Sequence, residues 1–354
     1  MTTEQQNRKN QHVSIAESFY HKEGESPFQD LRFVHHNFPN MAVGDVDLST
    51  SIGKLKLDYP FYINAMTGGS EWTKKLNAGL SRVAAQTGIA MAVGSQSVAI
   101  REPEMIETFS VARKENPHGL IFANVGANHN AQAGLQAIEM LQADALQVHI
   151  NAPQEIVMPE GDRDFSMWPD HFQGFIDQIQ VPVIFKEVGF GFSKQSIQQL
   201  KALGAEIIDL GGRGGTNFSQ IENFRRKEYK YDDLLDWGQT TPESLLEAQD
   251  HISSLDILAS GGVRTAMDIA KSLALGAKAV GIAGEFLHTL IKEDEEALID
   301  KIEGLKEELA GIYTLLGART TQELAQTDII VCGQTKDYCQ AREIGYQSLA
   351  QRNR

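Results

Sequence analysis

Cysteine is nearly missing from this chain. The 354 residues hold two, Cys332 and Cys339, and neither sits in a CxxC or at a zinc-like spacing. The pair reads as free thiols in a reducing compartment, which rules out a disulfide-framed scaffold. Positive charge is also short. Asp and Glu number 47 against 32 Lys and Arg, for a net charge of −15. General nucleic-acid binding needs a basic face and is excluded on that ground. A phosphate ligand is not excluded, since a few local cations and backbone amides suffice to hold one. The most apolar long stretch, Leu273–Ile291, is interrupted by Lys278 and Glu285 and makes a poor membrane span. The N-terminus is polar and lacks a signal-peptide core, so a cytoplasmic protein is expected. P-loop, HExxH and GxSxG motifs are absent. Gly189-Phe190-Gly191 lacks the third glycine of a dinucleotide fingerprint.

What the chain does have is glycine, 31 residues of it, often paired just after apolar runs. That placement suits backbone approaching a ligand. From Tyr59 onward, short β-branched or aromatic runs alternate with longer helical patterns. The pattern predicts strands at Phe61–Ala65, Ala90–Val93, Leu120–Asn124, Leu146–Ile150, Val183–Lys186, Ile207–Leu210, Ile257–Ala259 and Ala279–Ile282. Helical patterns between them include Trp72–Gln86, Pro103–Lys114, Gln132–Leu141, Lys194–Leu203, Pro242–His251 and Arg264–Leu275. Gly88, Gly204 and Gly276 stand where left-handed helix ends belong. Eight strand-then-helix units without a proline-rich linker favour an α/β fold: a (β/α)8 TIM barrel with an N-terminal arm and a C-terminal helical extension. The expected divisions are a mobile polar arm over 1–26, a lead-in over 27–58, the barrel over 59–290 and helices over 291–354. An open doubly wound sheet is the alternative.

A barrel gathers its functional residues just after the C-terminal ends of its strands. Here every strand end is polar or glycine-rich. Gly261-Gly262-Val263-Arg264 and Ala283-Gly284 follow strands 7 and 8, where barrels often hold phosphate, and Thr216 can add a hydroxyl. The bland reading is that these glycines only close tight turns. Lys186 ends an apolar strand and must be neutralised or meet an anion. It fits a cation beside an electron-rich ring, a partner for a nearby carboxylate, or a Schiff-base lysine. His149, Asn151, Gln154 and Glu155 form the densest polar cluster. One carboxylate plus diphosphate oxygens and waters is a usual way to hold Mg²⁺, which suits Glu155; alone it would read as a solvated loop residue, and His149 alone as a core histidine. Arg8, Lys9 and His12 lie in an arm that chemistry alone would leave as surface.

Taken together these stretches resemble the type 2, flavin-dependent isopentenyl-diphosphate isomerase family. The matching segments are Arg8-Lys9-Asn10-Gln11-His12, Asn64-Ala65-Met66-Thr67-Gly68-Gly69, Val93-Gly94-Ser95-Gln96, Ala123-Asn124-Val125-Gly126, His149-Ile150-Asn151 with Gln154-Glu155, Lys186-Glu187, Gly211 to Thr216, Gly261 to Arg264, and Ala283-Gly284. They run in family order over nearly the whole chain. The resemblance implies FMN contacts at Ala65, Met66, Thr67, Ser95, Asn124, Lys186, Thr216, Gly262, Val263, Arg264, Ala283 and Gly284. It implies substrate contacts at Arg8, Lys9, His12, His149, Asn151 and Gln154, a Mg²⁺ ligand at Glu155, and catalytic parts for Gln154, Lys186 and His149. It further implies FMN that works when reduced, with NAD(P)H as reductant, and a homo-oligomer, a tetramer or octamer. The reaction implied moves a double bond by one carbon, a proton gained at one position and lost at another, with reduced FMN as the acid and base. One departure stands out: where some relatives carry a basic residue after Gly-Ser-Gln, this chain has Ser97, and the nearest cation is Arg101. The rival is an FMN-dependent α-hydroxy-acid oxidase or dehydrogenase, which would need a His base near Arg213 or Arg264. An inosine-monophosphate dehydrogenase-like barrel would need a cysteine after strand 6.

Overall fold

The computed structural model describes residues 4–20, 26–66 and 68–352. Eight parallel strands close into a barrel: Phe61–Ile63, Met91–Ala92, Ile121–Gly126, Ala145–Ile150, Val183–Glu187, Ile207–Asp209, Asp256–Ser260 and Ala279–Ile282, here numbered barrel strands 1 to 8. Strand 8 pairs with strand 1 through Val280 against Phe61 and Ile282 against Ile63, which completes the ring. All eight expected strands are present, with ends shifted by no more than two residues. Helices lie between strands as the apolar spacing requires, for example Glu71–Thr87 and Lys194–Leu203. Gly88, Gly204 and Gly276 all have positive φ at helix ends, the conformation that a β-carbon disfavours.

Two apolar cores result. The larger packs the outer faces of the strands against the helices, with Phe109, Phe175, Phe185 and Phe286 fully buried. The smaller fills the barrel interior with Tyr62, Phe122, Ile184 and Leu258. It is joined by Ile52 and Leu57, from a hairpin of Thr50–Ile52 and Leu55–Leu57. The lead-in segment therefore plugs one end of the barrel. Apolar residues fill that end, and polar ones are left to the other.

Three expectations need correction. The arm is not simply mobile: Glu4–Ser18 is a helix, although Val13 is its one fully buried apolar side chain among the described residues. The C-terminal tail is not all helix. Ile329–Val331 pairs antiparallel with Leu31–Phe33, so lead-in and tail clasp each other. Arg264 does not open a helix. Thr265 caps the helix Ala266–Ala274, with Asp268 closing the capping box, and Arg264 stays in the loop after strand 7.

The clasp rests on Leu31, which is 1% exposed beside exposed Arg32. Leu31→Ala should lower the unfolding free energy by about 2–4 kcal/mol. Arg32→Ala should change it by no more than about 0.5 kcal/mol. Denaturant midpoints of the two variants check this.

Candidate active site

One cavity of about 890 Å³ opens at the C-terminal ends of the strands. The expected residues Arg8, Lys9 and His12 line it from the arm helix. Ala65, Met66, Ser95, Asn124, His149, Asn151, Gln154, Glu155 and Lys186 line it from strands 1 to 5 or the loops after them, and Thr216, Gly262, Val263, Arg264, Ala283 and Gly284 from loops after strands 6 to 8. Thr67 lies outside the described residues. Ser97 and Arg101 also line the cavity.

The glycine-rich side is built of backbone brought close to backbone. A β-carbon on Gly261 would lie 1.9 Å from the Gly212 carbonyl oxygen, and one on Gly215 would lie 2.8 Å from the Gly262 nitrogen. Side chains at these positions would drive the loops after strands 6 and 7 apart. Thr216 stands beside Gly284, 3.4 Å from where its β-carbon would be. This small-residue rim, with Arg264 in its loop, fits a phosphate-bearing cofactor.

Lys186 stands at the rim on strand 5, register partner to His149 on strand 4 and Asp209 on strand 6. Its ammonium donates to the Glu187 carbonyl at 2.8 Å and the Ser260 hydroxyl at 3.2 Å, and it lies 3.4 Å from an Asp209 oxygen. So the carboxylate partner weighed for Lys186 exists, and it is Asp209. The neighbouring Glu187 is occupied elsewhere, accepting from the amides of Val188, Gly189 and Phe190. Burial still pushes its carboxyl up to about 8, against the pull of those three amides.

Across the cavity, Glu155 accepts from the Asn151 side chain and from the Asp162 amide, each at 2.8 Å. Burial raises its pKa, opposed by those two donors. Among the described residues no three His, Cys, Asp or Glu side chains converge as a metal cluster. The donor set therefore fits Mg²⁺ only as a single carboxylate that leaves most positions to ligand oxygens and water.

The bases nearby are starved of protons. Lys9 is pushed down to about 7 by burial and by Arg8. His149 falls to about 3 through burial, Lys9, His129 and Lys186, and is neutral. Ser97 is held by His129 at 2.7 Å and by Ser95 at 2.9 Å. An anion placed beside Lys9 would favour its protonated form.

The comparisons with known proteins fit this geometry. A family model described as FMN-dependent dehydrogenase matches residues 157–331. An isopentenyl-diphosphate delta-isomerase of Staphylococcus epidermidis is 48% identical over 330 residues, 93% of this chain and 94% of that one. One from Staphylococcus aureus is 46% identical over 341 residues, 96% and 97% of the two chains. The chain belongs to the isopentenyl-diphosphate delta-isomerase family. Solved structures of more distant proteins share the barrel. A flavocytochrome b2 variant with pyruvate bound aligns at TM-score 0.65 and 19% identity, over 97% of this chain and 82% of that one. A mandelate oxidase variant carrying a monooxide FMN adduct aligns at 0.61 and 13%, over 91% and 92%. At such identities the likeness concerns the fold.

Two acidic residues of this family member escaped the sequence reading. Glu222, on the helix Phe218–Arg225, is fully enclosed. It accepts from the Gln154 amide at 3.2 Å, lies 2.8 Å from His12 Nε2 and pairs with Arg225. Arg225 beside it reads as an ordinary helix-surface pair, and its other partners come from the arm and from the segment after strand 4. Asp209 did leave a signal: like Lys186, it is a charge in an otherwise apolar strand.

Burial pushes the Glu222 carboxyl up, but His12, Arg225 and Gln154 outweigh it and hold it at about 2. A depressed carboxylate stabilises the fold fully above its unfolded value of 4.5 and loses that contribution as pH falls toward about 2. Stability should therefore drop by roughly 2–3 kcal/mol across that window through this residue alone. Glu222→Gln should flatten the acid limb of a pH series of unfolding midpoints.

Proposed function

We propose that this chain isomerises isopentenyl diphosphate to dimethylallyl diphosphate, with reduced FMN and Mg²⁺ as cofactors and NAD(P)H as the source of reduction. The observation that carries the reading is that one cavity joins the glycine rim and Lys186 on one side to the arm cations, Asn151, Gln154 and Glu155 on the other. Its volume, about 890 Å³, is at the upper end for small-molecule sites and suits a nucleotide-sized cofactor together with a small substrate.

Reduced FMN, when bound, supplies the acid and base chemistry of the double-bond shift. The chain's own groups set the stage. The backbone of Gly262 and Gly284, the Thr216 hydroxyl and the Arg264 guanidinium take the cofactor phosphate. Met66, Ser95 and Asn124 flank the ring, and Lys186 favours negative charge on it. Glu155 would ligate Mg²⁺, which would supply the charge that holds the diphosphate, and Arg8, Lys9, His12 and Asn151 would contact its remaining oxygens. An anion beside Lys9 reverses the effect of Arg8 and restores its proton. Gln154, tethered by its amide to Glu222, orients the hydrocarbon end. Fixing a substrate at its charged tail converts binding energy into alignment at the reacting carbons.

The α-hydroxy-acid oxidase reading is less well supported. Among the described residues the histidines lining the cavity are His12 and His149, from the arm and strand 4 rather than the late loops. Arg213 is engaged by Asp236, through its carbonyl at 2.8 Å and its carboxylate at 3.7 Å. As to assembly, the proposal includes a tetramer or octamer; Phe38, Phe224, Tyr229 and Trp237 are exposed surface that such contacts could cover. No helix among the described residues is long and apolar enough to cross a membrane.

An assay with isopentenyl diphosphate, FMN, Mg²⁺ and a reductant, each omitted in turn, tests the proposal. Turnover should fail without any one of them. Turnover that persists after the flavin is stripped, or oxidation of a 2-hydroxy acid instead, would overturn it. Glu155→Gln should lower kcat by about 100-fold or more, shift the Mg²⁺ requirement upward and leave the bound-flavin spectrum unchanged. Removing residues 1–12 should raise KM while sparing the flavin.

A further inference from the structure

The barrel interior holds a line of side-chain amides that begins at a carboxylate and ends at His149. Asp209 is fully enclosed and, as a carboxylate, can only accept. It takes hydrogen bonds from the Ser260 hydroxyl at 2.6 Å, the Asn64 amide at 3.0 Å and the Tyr62 hydroxyl at 3.1 Å. That fixes the direction of everything beyond it. Asn64, having turned its Nδ2 to Asp209, presents Oδ1 to the Gln147 amide at 3.1 Å. The Ala65 backbone N–H donates to the same Oδ1 at 2.8 Å, an independent anchor for that orientation. Gln147 then turns Oε1 to the Asn124 amide, at 3.0 Å. Asn124 is left with Oδ1 toward His149 Nδ1, at 2.8 Å. An amide oxygen there can only accept, so Nδ1 must carry the hydrogen.

We propose that Asp209, acting through Asn64, Gln147 and Asn124, holds His149 as the Nδ1–H tautomer, so that Nε2 offers a lone pair on a ring that lines the cavity. Asp209 and Gln147 are in this respect positioning residues for His149. The inference rests on the function proposed above for the meaning of the site and refines it. A neutral ring with a bare Nε2 cannot donate to a phosphoryl oxygen. His149 instead accepts from an N–H or O–H donor: a flavin ring N–H, a bound water or the Lys9 ammonium. It belongs with the orientation of donors near the reacting centre rather than with the diphosphate clamp. Outer partners of this kind set the tautomer of a histidine whose other nitrogen does the work.

The Val125 carbonyl also lies against the His149 ring, and the two neutral tautomers are distinguishable by measurement. The test is long-range nitrogen–proton correlation on nitrogen-15-histidine-labelled holoenzyme with oxidised FMN, His149 being assigned by the resonance lost in His149→Gln. The expected result is a protonated Nδ1 and a pyridine-like Nε2 near neutral pH. A protonated Nε2 in the unmutated protein would overturn the proposal, with no variant needed. Gln147 is fully buried and does not line the cavity, so Gln147→Met cuts the line without touching a ligand. It should let the second tautomer appear and lower kcat by about 10- to 100-fold, with KM and flavin content little changed. If Gln147→Met folds, keeps its flavin and retains both the single tautomer and full kcat, the line does not position His149. Should the protein prove not to isomerise isopentenyl diphosphate, the function proposed above fails, while the tautomer measurement still decides this inference.

Discussion

A polar side chain pointing into a closed barrel has no solvent to turn to, so its partners must come from the other strands. Asp209 is the extreme case. Burying a carboxylate costs several kcal/mol unless good geometry and further hydrogen bonds offset it. Here the offset comes from Tyr62 and Asn64 of strand 1 and its end, Ser260 of strand 7 and the Lys186 ammonium of strand 5. The donors on one carboxylate thus tie together strands that are not all neighbours. They also hold Lys186 in one place at the rim, where its charge is shared with Asp209 and Ser260 and still faces the cavity. The lysine's position is set from beneath, before any ligand arrives.

The order of the strands and the polar rim were legible in the sequence because both follow from local rules. Short continuous apolar runs such as Phe61–Ile63 and Ala279–Ile282, set off from the helical patterns by glycines such as Gly276, need no tertiary information. Nor does the tendency of a barrel to collect polar residues after its strands. What stayed hidden depends on contacts far apart in the chain. The hairpin that plugs the barrel reads as broken apolar fragments until Ile52 and Leu57 meet Tyr62 and Leu258. The strand Ile329–Val331 exists only because Leu31–Phe33 offers it an edge. Glu222 looks like any helix-surface glutamate until His12 and Gln154 close over it. Asp209 could have been suspected by the logic applied to Lys186, and the two turn out to be register partners.

Net charge was a weak guide to this site. The chain carries −15 overall, yet Lys9, His129 and His149 are kept short of protons by burial first and then by nearby basic groups, Arg8 for Lys9, Arg101 for His129 and Lys9 for His149. Each loss of a proton lowers the cost of assembling the cluster without an anion. For Lys9, held at about 7, the loss is readily reversed, and an anion beside it would favour the charged form; His149 stays neutral.

The same barrel serves flavocytochrome b2 and mandelate oxidase at 13–20% identity, so the fold alone cannot specify the chemistry. In this chain a polar wall stands opposite the glycine rim, and Arg8, Lys9 and His12 of that wall arrive with the arm helix. The helix buries little apolar surface. It is held by Lys9 on the Ser95 carbonyl at 3.3 Å, Asn10 on Ser70 at 2.6 Å, His12 on Glu222, Glu17 on His288 at 2.9 Å, and Tyr20 on Glu285. Polar contacts of this sort contribute about 1 kcal/mol each once water is counted as the competitor. A ligand that touched Arg8, Lys9 and His12 would stabilise the docked arm by the same free energy that the docked arm would add to ligand binding. The docked position is set by side chains that from sequence alone belonged to an unremarkable polar terminus.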